Sequence, residues 1–252
     1  MDETLLSLDC VSRRFGGIHA VRDVTAIIAR GELVGLIGPN GAGKTTLLDL
    51  ISGVLRPTSG AIAFAGRPTA SLPAYRVAQL GIGRTFQVMR PFKGMTVLEN
   101  ALLGALFTRH EPFKACVERA ESVLEFLHLA DKRHAPISRL TLADIKRLEV
   151  AKALATSPKL LLLDEVMAGL NQREVEEVMA MVRTINDNGT TVLMIEHLMK
   201  AIMGVCRRVL VLHQGQLIAD ASPAAVVVDP AVITAYLGER FARRAEAHSA
   251  QR

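Results

Sequence analysis

The chain has 252 residues, half of them hydrophobic, with a mean hydropathy of +0.27, which suffices for one large α/β domain or two small ones. Its formal net charge of +5 allows a nucleic-acid or membrane-surface partner, but no aromatic residues interleave with the basic ones as stacking platforms, so a solvated basic surface and no nucleic acid are expected. No apolar stretch approaches the ~18 residues that span a bilayer, and Asp2 and Glu3 stand where a secretory leader would be basic, so neither a secreted nor a membrane-spanning protein is expected.

Cys10, Cys116 and Cys206 are odd in number and lack metal-ligand spacing, which reads as free thiols in a reducing cytosol. Early in the chain, Leu5-Leu6-Ser7-Leu8 and Val24-Thr25-Ala26-Ile27-Ile28 predict antiparallel strands beside the strand that follows. That strand is the apolar run Leu33-Val34-Gly35-Leu36-Ile37. It leads into a glycine-rich segment, and residues 46–55 predict a helix. Arg56-Pro57-Thr58-Ser59-Gly60 is turn chemistry, after which Ala61-Ile62-Ala63-Phe64-Ala65-Gly66 returns as a strand. Residues 67–87 read as mixed and loop-rich. Across 95–155 the period becomes helical, clearest at Val117, Ala120, Leu124 and Leu127, and predicts a helical subdomain inserted into a sheet domain.

Lys159-Leu160-Leu161-Leu162-Leu163 has no alternation, as expected of a parallel strand covered on both faces, and it ends at Asp164-Glu165. A helix follows with Val175, Val178, Met179, Val182 and Ile185 in register and Asn188-Gly189 as its stop. Residues 190–195 form a further strand ending at Glu196-His197, and 209–213 with 216–219 predict a hairpin about Gln214-Gly215. The final residues, 239–252, hold Arg240, Arg243, Arg244 and Arg252, read as a frayed end or a patch that grazes anionic lipid.

The segment Gly38-Pro39-Asn40-Gly41-Ala42-Gly43-Lys44-Thr45 fits G-x-x-x-x-G-K-[ST] between a strand and a helix. Its glycines let successive N–H groups turn toward one anion, and the helix start at Thr46 adds partial positive charge. Lys44 reaches the β- and γ-phosphates of a nucleotide, and the Thr45 hydroxyl suits Mg²⁺. Ligands of open α/β sheets bind beyond the carboxyl ends of strands, where Lys44, Asp164, Glu165 and His197 all fall. Asp164 with Thr45 suits Mg²⁺, and Glu165 is placed to aim an attacking water. Taken alone, the acidic pair is a solvated strand end and His197 a structural histidine; beside the phosphate loop the acidic pair points to phosphoryl chemistry.

These motifs, in order and spacing, resemble the ATPase subunit of an ATP-binding cassette transporter across nearly the whole chain. Arg84-Thr85-Phe86-Gln87 is similar to the Q-loop, Leu140-Thr141-Leu142-Ala143-Asp144 occupies the signature position, and residues 160–165 resemble Walker B. Ala168-Gly169-Leu170-Asn171 sits at the D-loop and His197 at the switch histidine. The resemblance implies an α/β P-loop NTPase core with a mixed central sheet, an antiparallel β subdomain and an inserted helical subdomain. One ATPase domain over residues 1–240 and a basic tail over 241–252 are expected. ATP and Mg²⁺ are the implied cofactors. Phe15 would stack on adenine, the alternative being a core phenylalanine; Gln87 would touch Mg²⁺ and the water, and His197 the γ-phosphate. A head-to-tail dimer with a second copy or a paralogue is implied, each nucleotide meeting Thr141 and Ala143 of the other subunit.

The signature departs from the usual L-S-G-G-Q: a hydroxyl survives at Thr141, both glycines are lost, and Ala143 would be strained wherever φ is positive. Val166 replaces a common proline and Asn171 the usual aspartate. Within the family the chain is similar to the ATPase of branched-chain amino acid uptake. That similarity lies in Arg13-Arg14-Phe15-Gly16-Gly17, residues 164–171, Ile195-Glu196-His197 and residues 231–239. It implies membrane permeases, coupled through residues 88–99, an extracytoplasmic solute-binding protein acting indirectly, and a place on the inner face of the plasma membrane. The rivals are a lipopolysaccharide-type export ATPase and a soluble cassette ATPase acting on ribosomes or DNA. A GTPase is disfavoured by the lack of an N-K-x-D motif.

Overall fold

The computed structural model describes residues 3–87, 91–106 and 111–237. Residues 88–90 at the start of the expected coupling segment, Gly238 and Glu239 of the stretch at 231–239, and the basic tail lie outside the described residues. The chain opens with β1 (Thr4–Phe15) and β2 (Ile18–Ala29), then β3 (Leu33–Ile37), α1 (Lys44–Ile51), β4 (Ser59–Phe64), β5 (Arg67–Pro68), α2 (Ala74–Leu80) and β6 (Ile82–Arg84). Helices α3 (Val97–Leu106), α4 (Phe113–Phe126) and α5 (Leu142–Leu154) follow, with short 3₁₀ turns before α5. The chain then runs through β7 (Leu160–Asp164), α6 (Gln172–Asp187), β8 (Thr191–Ile195), α7 (Met199–Val205), β9 (Arg208–His213), β10 (Gln216–Ala221), α8 (Pro223–Val226) and α9 (Pro230–Leu237).

A six-stranded sheet of order β10-β9-β3-β8-β7-β6 is parallel except for β10. Its strands alternate between two cores, which explains why they read as unbroken apolar runs. Leu161 and Leu163 of β7, with Val192 and Met194 of β8, face one core with α3, α4, α5, α6 and α7. Leu160, Leu162, Leu193 and Ile195 face the other, shared with α1 and the antiparallel sheet β2-β1-β4-β5. β1 and β2 therefore do not lie beside β3 as expected; they pair with each other and β1 with β4, while β3 lies between β8 and β9.

Two further expectations shift. The helix expected over 46–55 begins at Lys44 and ends at Ile51, because the Ser52 hydroxyl donates back to the Leu48 carbonyl at 2.8 Å and Gly53 turns to φ +73°. The stretch read as loop-rich holds α2, which buries only Val77 and so shows no apolar stripe. The helix over 172–187 matches its stripe, and a capping box of Asn171 and Glu174 starts it. Among the described residues no helix is long and apolar enough to cross a membrane.

Leu162 is fully buried at the centre of the parallel sheet, so Leu162→Ala is expected to cost about 2–5 kcal/mol, read as a lower urea midpoint at unchanged slope. Glu196, beyond the end of β8, is 3% exposed, and burial lifts its carboxyl from 4.5 to about 7. The folded chain thus keeps a proton that the unfolded chain has lost between those values, so stability falls as pH rises through that window and levels off above it. The fall is on the order of 3 kcal/mol. Glu196→Gln is expected to abolish it, as measured by denaturation at pH 5 and pH 8.

Candidate nucleotide site

Beyond β3 the chain turns sharply into α1 through residues 38–43. Gly43 has φ +101°, and a Cβ there would lie 2.2 Å from the Ala20 carbonyl of β2. A Cβ on Gly38 would lie 2.1 Å from the Leu212 carbonyl of β9. The loop is wedged between two backbones, and the Gly215 N–H of the β9–β10 turn donates to the Ala42 carbonyl at 3.0 Å. The first N–H groups of α1 have no intrahelical acceptor and open toward the cleft.

Lys44 is buried and donates Nζ to the Gly38 and Pro39 carbonyls at 2.8 and 3.0 Å, which clasps the loop. Burial lowers its pKa, while the charges of Glu165 and Asp164 oppose that shift. A cleft of about 570 Å³ lies over the loop, lined by Asn40, Gly41, Ala42, Gly43, Lys44, Thr45 and Thr46 on one side. Gln87, Glu165 and His197 close the other side.

Those three residues meet. The Glu165 carboxylate accepts the Gln87 amide N–H at 3.0 Å and lies 2.7 Å from His197 Nε2. Glu165 holds φ +52°, a conformation that a residue with a side chain keeps only where its surroundings impose it. Asp164, one residue earlier, points inward. Its Oδ2 accepts from Arg84 at 3.4 Å, and Arg84 in turn donates to Asp49 of α1 at 2.6 Å and to the Ser52 hydroxyl at 2.9 Å. Burial raises the Asp164 pKa against the pull of Arg84. Asp164 Oδ1 is buried with no hydrogen-bond partner among the described residues.

Asp164 is not among the residues that line the cleft, but its orphaned oxygen, the Thr45 hydroxyl and the Gln87 amide oxygen are hard oxygen donors of the type that Mg²⁺ favours. Among the described residues no cluster of three or more His, Cys, Asp or Glu could hold a metal alone. Such a set matches a hard cation carried largely by phosphate oxygens.

Of the expected site residues, Gly38, Pro39, Asp164, Phe15, Thr141 and Ala143 are not among those that line the cleft. Phe15 is no core residue: it ends β1, is 44% exposed, and carries the Arg13 guanidinium 4.6 Å from its ring centroid. Thr141 and Ala143 open α5, where Thr141 Oγ1 accepts the Asp144 N–H and the Asp144 carboxylate accepts the Thr141 N–H. Ala143 is helical and not among the residues of positive φ, so the loss of glycine there brings no strain. Asp144 is buried and takes two bonds of 2.8 Å from Lys132. Burial pushes its carboxyl up, but Lys132 and Thr141 outweigh that and hold it below the ordinary value. Asn171 acts through hydrogen bonding, accepting the Glu174 N–H at 3.1 Å to cap α6.

Sequence reasoning missed Ala20, which lines the cleft, the Arg84 network, Lys132, and two buried charges, Lys146 and Glu196. Only the run Glu196-His197 after an apolar strand hinted at any of them.

Residues 21–168 match the family described as ABC transporter, and 216–242 that described as branched-chain amino acid ATP-binding cassette transporter. The high-affinity branched-chain amino acid transport ATP-binding protein LivG of Salmonella typhimurium is 37% identical over 95% of this chain and all of its own length. The lipopolysaccharide export system ATP-binding protein LptB of Acidithiobacillus ferridurans is 37% identical over 88% of this chain and 91% of its own. A nucleotide-free ATP-binding cassette from an ABC transporter superposes with a TM-score of 0.85 at 30% identity, over 94% of this chain and all of that one. A dimeric cassette bound to ADP and Pi in a post-hydrolysis state gives 0.79 at 25% identity, over 87% of this chain and 99% of that one. Cleft, sheet order and these likenesses agree, and the chain belongs to the ATP-binding cassette transporter family as one of its ATPase subunits.

Proposed function

We propose that this subunit hydrolyses ATP to power uptake of branched-chain or other hydrophobic amino acids through partner permeases, from the inner face of the plasma membrane. The observation that carries the hydrolytic part is the meeting of Gln87, Glu165 and His197 over the Lys44 loop. The cargo rests on the family match at 216–242 and the likeness to LivG. The likeness to LptB keeps lipopolysaccharide export as a second reading.

The loop N–H groups and Lys44 bind the triphosphate, and Phe15 stacks on adenine with its free face. Thr45, Asp164 and Gln87 would hold Mg²⁺, which when bound neutralises charge on the β- and γ-phosphates. Glu165 orients a water and takes its proton while the water oxygen bonds to the γ-phosphorus and the bond to the β–γ bridging oxygen breaks, releasing ADP. Gln87 fixes the Glu165 carboxylate, and His197, beside it, donates its ring N–H to the γ-phosphate. A second ATPase subunit, identical or paralogous, supplies Thr141 and Ala143 across the seam. An extracytoplasmic binding protein feeds the permease. One ATPase domain over 1–240, with helices α3, α4 and α5 as its coupling subdomain, completes this reading.

Glu165→Gln is expected to retain ATP binding and lose about 10²–10⁴-fold in hydrolysis rate; full turnover in that variant removes Glu165 as the base. Mass spectrometry of proteins retained after gentle membrane solubilisation is expected to find amino acid permeases. Lipopolysaccharide export subunits in their place would transfer the assignment to the second reading.

A further inference from the structure

The peptide that carries the Glu165 carboxylate is gripped from two sides by buried charges with no part in the chemistry above. Lys146 of α5 is 8% exposed and donates Nζ to the Glu165 carbonyl at 2.9 Å. From the other side, Glu196 Oε1 accepts the Met167 N–H at 2.9 Å. The Glu165 N–H donates to the Ile195 carbonyl at 3.0 Å, and Val166 and Met167 between the two grips are buried. The Glu165 carbonyl also accepts the Ala168 N–H at 3.3 Å, so the backbone on both flanks of Glu165, the one residue of the cleft kept at positive φ without being glycine, is tied to the fold.

Burying a lysine and a glutamate is expensive, and well-packed apolar residues of like volume commonly replace such groups without loss of stability. Burial indeed lowers the Lys146 pKa and raises that of Glu196, each partly offset by the other's charge. A role in stability alone leaves this arrangement unexplained, whereas a role in direction accounts for where both bonds end.

We propose that Lys146 and Glu196 are positioning residues for hydrolysis, a brace that fixes the backbone of residues 165–167 and so aims the Glu165 carboxylate between Gln87 and His197. This rests on the reading of Glu165 as the base. Because Lys146 rides on the helix that opens with Thr141 and Ala143, any displacement of α5 against the sheet is passed directly to the Glu165 carbonyl. The brace is a mechanical link from the seam between subunits to the hydrolytic carboxylate.

The test uses the full chain with ATP and Mg²⁺. Lys146→Met and Glu196→Leu are each expected to lower kcat by about 10²-fold, the scale of a small misplacement, with KM within about threefold. Lys146→Arg and Glu196→Gln keep the donor and the acceptor and are expected to recover kcat to within about tenfold of wild type. Hydrogen exchange gives a readout independent of turnover: the Met167 amide is expected to exchange faster in Glu196→Leu while β8 amides stay protected. An unchanged kcat in Lys146→Met, failure of both conservative variants to rescue, or unchanged Met167 exchange overturns the proposal. If Glu196→Leu does not fold, the Lys146 pair decides. Absence of hydrolysis by the wild-type chain with its permeases sinks the ATPase reading instead, and the exchange measurement still tests whether the brace exists.

Discussion

Parallel pairing of β3, β8 and β7 is the constraint on which everything else depends. Leu36 pairs with Ile195 and Ile195 with Asp164, so the three strands end level with one another. Whatever follows each strand is therefore delivered to the same rim: the phosphate loop after Ile37, Glu165 after Asp164, and Glu196-His197 after Ile195. A slip of one residue in this ladder would exchange the two cores and scatter the rim. The leucines of β7 fill both cores, and so the same residues that hold the sheet together also set the distances between reactive groups.

The legible parts of the chain were those where one residue type repeats for one physical reason. Strands β3, β7 and β8 are buried on both faces and read as unbroken apolar runs; α6 keeps a stripe and a capped start. The phosphate loop was legible because its glycines answer to backbone approach within the strand-to-helix turn itself. Partners distant in sequence were not. Nothing local to β1 says that it pairs with β4 across a separate sheet, and α2 buries too little to leave a pattern. Within the site, Glu165 and His197 are legible from their places after strands and Gln87 only from the Q-loop resemblance, whereas Lys146 on a helix looks like any solvated lysine until the fold covers it.

The divergent segment at residues 140–144 follows the same logic of local compensation. Asp144 places a carboxylate at a helix start of the kind that receives anions, yet the charge is turned inward, buried and paired to Lys132. The capping box orders the first turn of α5 without needing glycine, so Ala143 sits there unstrained. Leu142 packs toward Gly169, whose φ of +79° lets the loop after β7 pass close by. The segment is thus ordered by means other than those of the commoner signature.

One detail of the phosphate loop reaches further than its own few residues. Lys44 clasps the carbonyls of Gly38 and Pro39, and neighbouring backbones leave no space for a side chain at Gly38 or Gly43, so contacts within the chain itself hold the shape of the cradle. A preformed receptor loses little chain entropy on capture. Under the proposed function, more of the attraction between polyphosphate and backbone then remains for moving attached machinery. Under that proposal, a firmly held corner is what lets a small molecule act as a lever on a much larger assembly.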